Sequence, residues 1–211
     1  MSEESRLREE ICLHARSLFE RGYGCGSSGN ISARLADGWL LTPTNSSMGR
    51  LDPARLAKLD AQGRHVSGDK PSKEAFLHLA MYEERPEMQA VVHLHATHSV
   101  AVSCLADADP EDVLPPITAY YVMRVGKLPL VPYFPPGDRA LAEAVREKAR
   151  EHHAMLLANH GPVVAGKALD AAVYAAEELE ETAKLFLLLR GENTRWLSAA
   201  EVAELRVRFP S

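Results

Sequence analysis

The sequence predicts an α+β protein: a three-layer or α+β sandwich built on a largely antiparallel central sheet. Three observations predict it. Segments of helical and of strand periodicity are intermixed along the chain. Most neighbouring strands are separated by turns of hairpin size. The regular βαβ alternation of a parallel, doubly wound sheet is missing. The chain has 211 residues, 46% of them apolar and 25% charged, enough for one well-buried core. It carries no internal repeat, low-complexity tract or linker, so one domain over 1–211 is expected.

Residues 5–20 are predicted helical, with Leu7, Ile11 and Leu18 on one stripe and His14 or Ala15 between them. A glycine-rich loop, RGYGCGSSGN, follows over 21–30. ISARL and WLLT flank ADG as one hairpin, and LAKLD and RHVSG flank AQG as a second. Pro71 and Ser72 read as a helix start, continued by KEAFLHLAMYEE to the break at Pro86. The apolar run 90–95 is a strand, and a short helix begins near Thr97. Residues 106–137 are proline-rich, with short apolar segments YYVMRVG and LPLVPY. Asp138 can cap a helix over 140–150. AMLLA and VVAG are strands that bracket an NHGP turn. Asp170 opens a long helix to Arg190, with Val173, Ala176, Ala183 and Leu187 inward. SAAE, from Ser198 to Glu201, fits a capping box for a last helix.

Charge and cysteine usage narrow the function. The net charge is −5 and no basic block stands out, which argues against a nucleic-acid partner. An anionic small molecule needs only local positive charge. Cys12, Cys25 and Cys104 are scattered, form no CxxC and are odd in number, so reduced thiols in a cytoplasmic protein are expected. The opening MSEESRLREE has no signal-peptide core. Apolar runs such as LFLLL at 185–189 are too short to span a bilayer, so no membrane role is expected.

The chemistry concentrates in one carboxylate and three histidines: Glu74, His93, His95 and His160. His93 and His95 stand two apart in a strand-like run and therefore share a face. His160 lies where a second apolar strand meets a Gly-Pro turn. Glu and His seldom sit near apolar segments without a partner or a metal. Three neutral imidazoles leave the charge of a bound divalent ion intact as a Lewis acid. Zinc suits N/O ligation best, with manganese, cobalt and iron as alternatives. His98 is expected to support the site rather than ligate. His78, one helical turn after Glu74, is expected to hydrogen-bond on the same face. His14, His65, His152 and His153 are expected to be ordinary surface histidines.

A second constellation consists of polar loops: SSGN at 27–30, TPTNSS at 42–47 and PSK at 71–73. Each offers backbone N–H groups and hydroxyls. Ser72 and Lys73 are placed at a helix N-terminus, which attracts anions. Lys73 adjoins Glu74, so a phosphate held there would lie a few ångströms from the metal. Tyr120 and Tyr121 sit in an apolar segment and are either core or interface aromatics or an acid/base hydroxyl, Tyr120 being the candidate.

Taken together, GNIS (29–32), TPT (42–44), KPSKE (70–74), VVHLHATHSVAVS (91–103) and LLANHGPVVAG (156–166) resemble the class II aldolase/adducin-head family over nearly the whole chain. The resemblance implies a three-layer αβα sandwich and a homotetramer of fourfold symmetry with sites between subunits. It implies zinc on Glu74, His93, His95 and His160. It also implies a substrate phosphate gripped by the GN, TPT and PS loops, here Asn30, Thr44, Asn45, Ser72 and Lys73. Within the family, TPTNSSMGRL, KPSKEAFLHLAMY and PPITAYYVMRVG are most similar to the 3-oxo-tetronate 4-phosphate decarboxylases. Sugar-phosphate aldolases tend to carry Ser in place of Lys73 and Gly in place of Asn45, and the related epimerases carry Asp in place of Glu74.

The implied activity is zinc-dependent decarboxylation of a phosphorylated sugar acid, a 3-oxo-tetronate 4-phosphate. The C3 carbonyl and C2 hydroxyl would chelate the metal, carbon dioxide would leave, and the enediolate would be protonated at C2 to give dihydroxyacetone phosphate. Glu74 would swing off the metal to handle that proton. The same enediolate arises when a fuculose-phosphate-type aldolase cleaves a ketose 1-phosphate, which is the alternative. A non-catalytic, adducin-like assembly module is a third reading, and the full ligand set speaks against it.

Overall fold

A computed structural model describes residues 2–135 and 137–209. Its centre is one eight-stranded sheet made of β1 (Asn30–Leu35), β2 (Gly38–Leu41), β3 (Ala57–Asp60), β4 (His65–Ser67), β5 (Ala90–His93), β6 (Leu130–Val131), β7 (Ala154–Leu157) and β8 (Gly161–Gly166). The spatial order is β4-β3-β2-β1-β5-β8-β7-β6. Every neighbouring pair is antiparallel except β6 with β7 at one edge. The largely antiparallel sheet read from the sequence is therefore present.

Alternation along the strands builds the two outer layers. Ile31, Ala33 and Leu35 of β1, Ala90 and Val92 of β5 and Val164 of β8 join one apolar cluster. That cluster is completed by α1 (Glu3–Glu20), α3 (Thr97–Ser103), α4 (Ala119–Arg124) and α6 (Leu169–Leu189). Val91, Met155, Leu157, Val163 and Ala165 point the other way, onto α2 (Ala75–Glu84) and α5 (Arg139–Ala149). Helices thus cover both faces of the sheet, the three-layer arrangement. A final helix, α7 (Ala199–Arg208), opens on the expected capping box of Ser198 and Glu201.

Several boundaries differ from the sequence reading, each for a local reason. The strand expected over 90–95 ends at His93, because its partner β1 begins at Asn30, directly opposite. The helix expected from Pro71 begins at Ala75: Pro71 bridges Pro43 in extended backbone, and the Ser72 carbonyl closes a turn by accepting from Ala75. The first five residues of YYVMRVG lie in α4, whose N-cap Thr118 accepts from the Tyr121 N–H. Gly161 and Pro162 belong to β8 rather than to a turn, so the hairpin loop is 158–160. Asp170 lies in the first turn of α6, which starts at Leu169.

The antiparallel pairing brings the end of β5 and the beginnings of β1 and β8 to one end of the sheet, where α2 also starts. Gly161 is a close contact there. Its φ is +151°, and a Cβ would stand 2.2 Å from the Leu94 carbonyl oxygen, between His93 and His95. Gly161→Ala should therefore destabilise the fold by more than about 1 kcal/mol and disturb His93, His95 and His160 together. Chemical denaturation paired with a metal-binding titration checks this.

Candidate metal centre

The four residues expected to share a metal converge. One donor atom from each of Glu74, His93, His95 and His160 lies within 4.8 Å of every other. The Nε2 atoms of His93 and His95 are 3.0 Å apart, and those of His95 and His160 are 3.1 Å apart. Glu74 brings Oε2 to 3.6 Å from His93 Nε2 and Oε1 to 3.2 Å from His160 Nε2. Tetrahedral donors at about 2.0–2.1 Å from a zinc ion stand about 3.3 Å apart, so this spacing suits one ion. His95 lies past the end of β5 yet stays on the expected face, because the Leu94 N–H still donates to the Pro162 carbonyl at 3.3 Å.

The donor chemistry fits a cation as well. His93 Nδ1 donates to the Pro162 carbonyl at 2.8 Å, which leaves the Nε2 lone pair aimed at the cluster. Burial pushes the His93 imidazole down to about 3 and lowers that of His95, so both are neutral donors at pH 7. Burial alone would raise Glu74. The His160 contact, the His93 ring and the Asn30 amide outweigh it and hold the carboxyl below its ordinary range. Converging lone pairs and one carboxylate make a favourable place for a divalent ion.

Two cavities meet at this cluster and share Glu74 and His95 as a wall. One, of about 250 Å³, is lined by Ser27, Ser28, Asn30, Thr44, Asn45, Ser72 and Lys73 among others. All five residues expected to hold a phosphate are in it. The Thr44 N–H is spent on the Lys70 carbonyl and the Ser72 N–H on that of Thr42. The Glu74 N–H goes to Ser72 Oγ. Hydroxyls, side-chain amides and the Lys73 ammonium also line this cavity. The other cavity, about 630 Å³, is lined by Thr97, Val100, Tyr133, Phe134, Asn159 and His160 besides the shared pair. Its apolar wall was not legible in the sequence.

His78 hydrogen-bonds rather than joining the cluster, as expected, but its partners are on β1. Its Nε2 meets Asn30 Oδ1, and Asn30 Nδ2 donates to Glu74 Oε2 at 2.7 Å. Burial pushes His78 down to about 4, so its ring is neutral. His98 supports the site as expected: Glu180 of α6 accepts from the N–H groups of His98 and Ser99 at 2.8 Å each, capping α3 just after His95. His14 pairs with Asp170 at 2.7 Å. His153 contacts the Arg124 carbonyl at 2.9 Å and is half-buried. Tyr121 is buried, 1% exposed, in the core. Tyr120 is exposed, and its ring lies 5.5 Å from the Arg124 guanidinium, which also faces Tyr174. Arg124 and Tyr174 line a cavity at the Gly166 end of β8, the end opposite His160.

Residues 9–187 match the family described as class II aldolase and adducin N-terminal domain. The chain is 54% identical over 204 residues to the 3-oxo-tetronate 4-phosphate decarboxylase of Escherichia coli K12, covering 96% of each chain. It is 34% identical over 211 residues to the L-fuculose phosphate aldolase of the same strain, covering 98% of this chain and 95% of the other. The crystal structure of YgbL from Escherichia coli superposes with a TM-score of 0.95 at 51% identity, covering 97% of this chain and 100% of that one.

Removing one imidazole should abolish metal retention without unfolding the sheet. His95→Ala is expected to leave the purified protein with far less bound divalent metal per chain than wild type, measured by elemental analysis. Full retention would show that His95 is no ligand.

Proposed function

Because the chain belongs to the class II aldolase and adducin N-terminal domain family, we propose that it decarboxylates a 3-oxo-tetronate 4-phosphate to dihydroxyacetone phosphate and carbon dioxide. Relatives at 52–54% identity that bear the decarboxylase name support a carboxy-lyase. The observation that carries the reading is the shared wall. Glu74 and His95 belong at once to the ligand cluster and to a cavity rich in anion-binding groups.

Zinc fits the donor set, with manganese or cobalt as alternatives, and when bound it supplies Lewis acidity at the substrate C3 carbonyl and C2 hydroxyl. Lys73, Ser72, Thr44, Asn45 and Asn30 hold the phosphate and fix the carbon chain against the wall. The carboxylate then projects into the larger cavity, past Val100, Tyr133 and Phe134. The C1–C2 bond breaks and its electron pair passes to C2 and the C3 oxygen, leaving an enediolate. Glu74 relays a solvent proton to C2. It can move without unwinding α2, since it is the N-cap residue.

The same reading makes the protein a cytoplasmic homotetramer of sugar-acid catabolism, with sites between subunits. Tyr120 is exposed and stands at the far end of β8 from its own cluster, so we assign it as an acid/base group to a neighbouring subunit's site. Mixing inactive Tyr120→Phe and His95→Ala chains should then restore part of the activity by subunit exchange. A mixture as inactive as its components would remove this role.

Carbon dioxide release from a 3-oxo-tetronate 4-phosphate, set against aldehyde release from ketose 1-phosphates, tests the activity itself. Aldehyde release alone would favour the aldolase reading, which the 34% identity to a fuculose phosphate aldolase supports. Lys73→Ser should raise KM for the phosphorylated substrate about tenfold or more, the scale of a lost charge-assisted contact. Its unphosphorylated analogue should be little affected, and equal effects on both would separate Lys73 from the phosphate.

A further inference from the structure

Beyond the ligands themselves, a buried polar ladder runs between α2 and β1. Glu74, His78 and Tyr82 follow one another at four-residue steps, and Asn30, Ser32 and Arg34 at two-residue steps on the face of β1 toward α2. Four residues of helix advance about 6 Å and two of strand about 6.6 Å, so the rows stay in step. Tyr82 Oη lies 2.8 Å from Ser32 Oγ, and Ser32 Oγ lies 2.7 Å from His78 Nδ1. His78 Nε2 meets Asn30 Oδ1, and Asn30 Nδ2 reaches Glu74 Oε2 at 2.7 Å. Asn30, Ser32, His78 and Tyr82 are each 4% exposed or less.

The direction of every bond follows from the last one. An ionised carboxylate only accepts, so Asn30 must turn Nδ2 toward Glu74; the flipped amide would set oxygen against oxygen. Asn30 Oδ1 is then the acceptor for His78, whose Nε2 carries the proton. The neutral ring has a bare Nδ1, which accepts a hydrogen bond from the Ser32 hydroxyl, and Ser32 Oγ accepts one from the Tyr82 hydroxyl. All four links point toward the metal cluster, and none leaves a buried donor facing a donor.

We propose that His78, Ser32 and Tyr82 are positioning residues that lock the Asn30 amide and, through it, the Glu74 carboxylate at the histidine cluster. This rests on the reading of Glu74 as a metal-side residue. Asn30 also lines the anion cavity and has a second Nδ2 proton, so the grip on phosphate and the placement of Glu74 share one amide. Without Ser32 as donor, the His78 ring is free to take the other tautomer. A bare Nε2 would then face Asn30 Oδ1, the amide would turn, and its oxygen would repel Glu74.

The test needs no substrate. Cobalt affinity of the full chain is measured by chelator competition and by its visible absorption, with circular dichroism as the check on folding. Ser32→Ala should weaken cobalt binding about 10–100-fold, the usual effect of losing such support behind a ligand. Tyr82→Phe should weaken it by less than Ser32→Ala does, since Ser32 still donates to the ring but has lost the hydroxyl behind it. His78→Gln keeps an N–H for Asn30 and should bind better than His78→Leu, whereas a role in packing alone would favour the leucine. If the leucine variant does not fold, Ser32→Ala and the ¹⁵N signals of the His78 ring decide. Wild-type affinity in Ser32→Ala, or a His78 ring protonated at Nδ1, overturns the proposal. The expected cobalt shifts in a protein that releases no carbon dioxide would leave the ladder standing and remove only the decarboxylase reading. A wild-type chain that takes up no cobalt overturns both.

Discussion

The antiparallel register of β5 is the constraint on which the site depends. His93 stands opposite Asn30 on one side and Val163 on the other. That single alignment sets the start of β1 beside the histidine cluster and brings the β7–β8 loop, with His160, within reach. It also lets the Pro162 carbonyl fix the tautomer of His93. A slip of one residue would send His93 into the apolar layer beneath α6 and Val92 into the site. The register is held against that slip by Ala90 and Val92 on one face and Val91 on the other, all fully buried.

What the sequence disclosed and what it withheld follow from the range of the interactions involved. The His93–His95 spacing was legible because strand geometry is local, and it held although the strand stops at His93. The extended backbone simply continues, tied by Leu94 to Pro162. The polar loops of the anion cavity were legible as turn chemistry, but which of their N–H groups are already spent was not, because the partners, Lys70 and Thr42, lie across a loop. His78 could be placed on the face of Glu74 from helical periodicity. Its true partners could not be found, since Asn30 and Ser32 are more than forty residues away. The only local hint was that β1 alternates Asn, Ser and Arg with Ile, Ala and Leu, a polar row on a strand whose other face is apolar.

Local electrostatics would let a chain of net charge −5 hold the proposed phosphate next to a carboxylate. Glu74 is half-buried, and its carboxylate accepts from the Asn30 N–H rather than pairing with the Lys73 ammonium. Lys73 has no ion-pair partner among the described residues and lines the cavity, so its charge is available to a phosphate. A cation among the histidines would add to the same field, and its attraction for phosphate would fall off steeply in bulk water but far less within a partly enclosed cavity. The larger cavity has no Lys or Arg among its described lining residues. A carboxylate placed there lacks the partner that a phosphate finds on the other side.

That asymmetry has a consequence for how the carboxylate of Glu74 must behave. A fully fixed Glu74 would bind a metal well and relay no proton; a free one would do the reverse. Its backbone precedes α2, with φ −95° and ψ 12°, so no helical hydrogen bond of its own N–H restrains it: that N–H is taken by Ser72 Oγ. Its Oε2 accepts from the Asn30 amide, which on the proposal above is oriented by the buried groups behind it, and its Oε1 lies 3.2 Å from His160 Nε2. One charge-assisted hydrogen bond is worth about 1.5–3 kcal/mol. That is enough to hold a rotamer at rest, and little enough for a substrate to exchange if, as proposed, its phosphate engages the second proton of the same Asn30 nitrogen. On the proposed mechanism, the ladder would therefore set Glu74 in a position that it leaves at a cost substrate binding is able to meet.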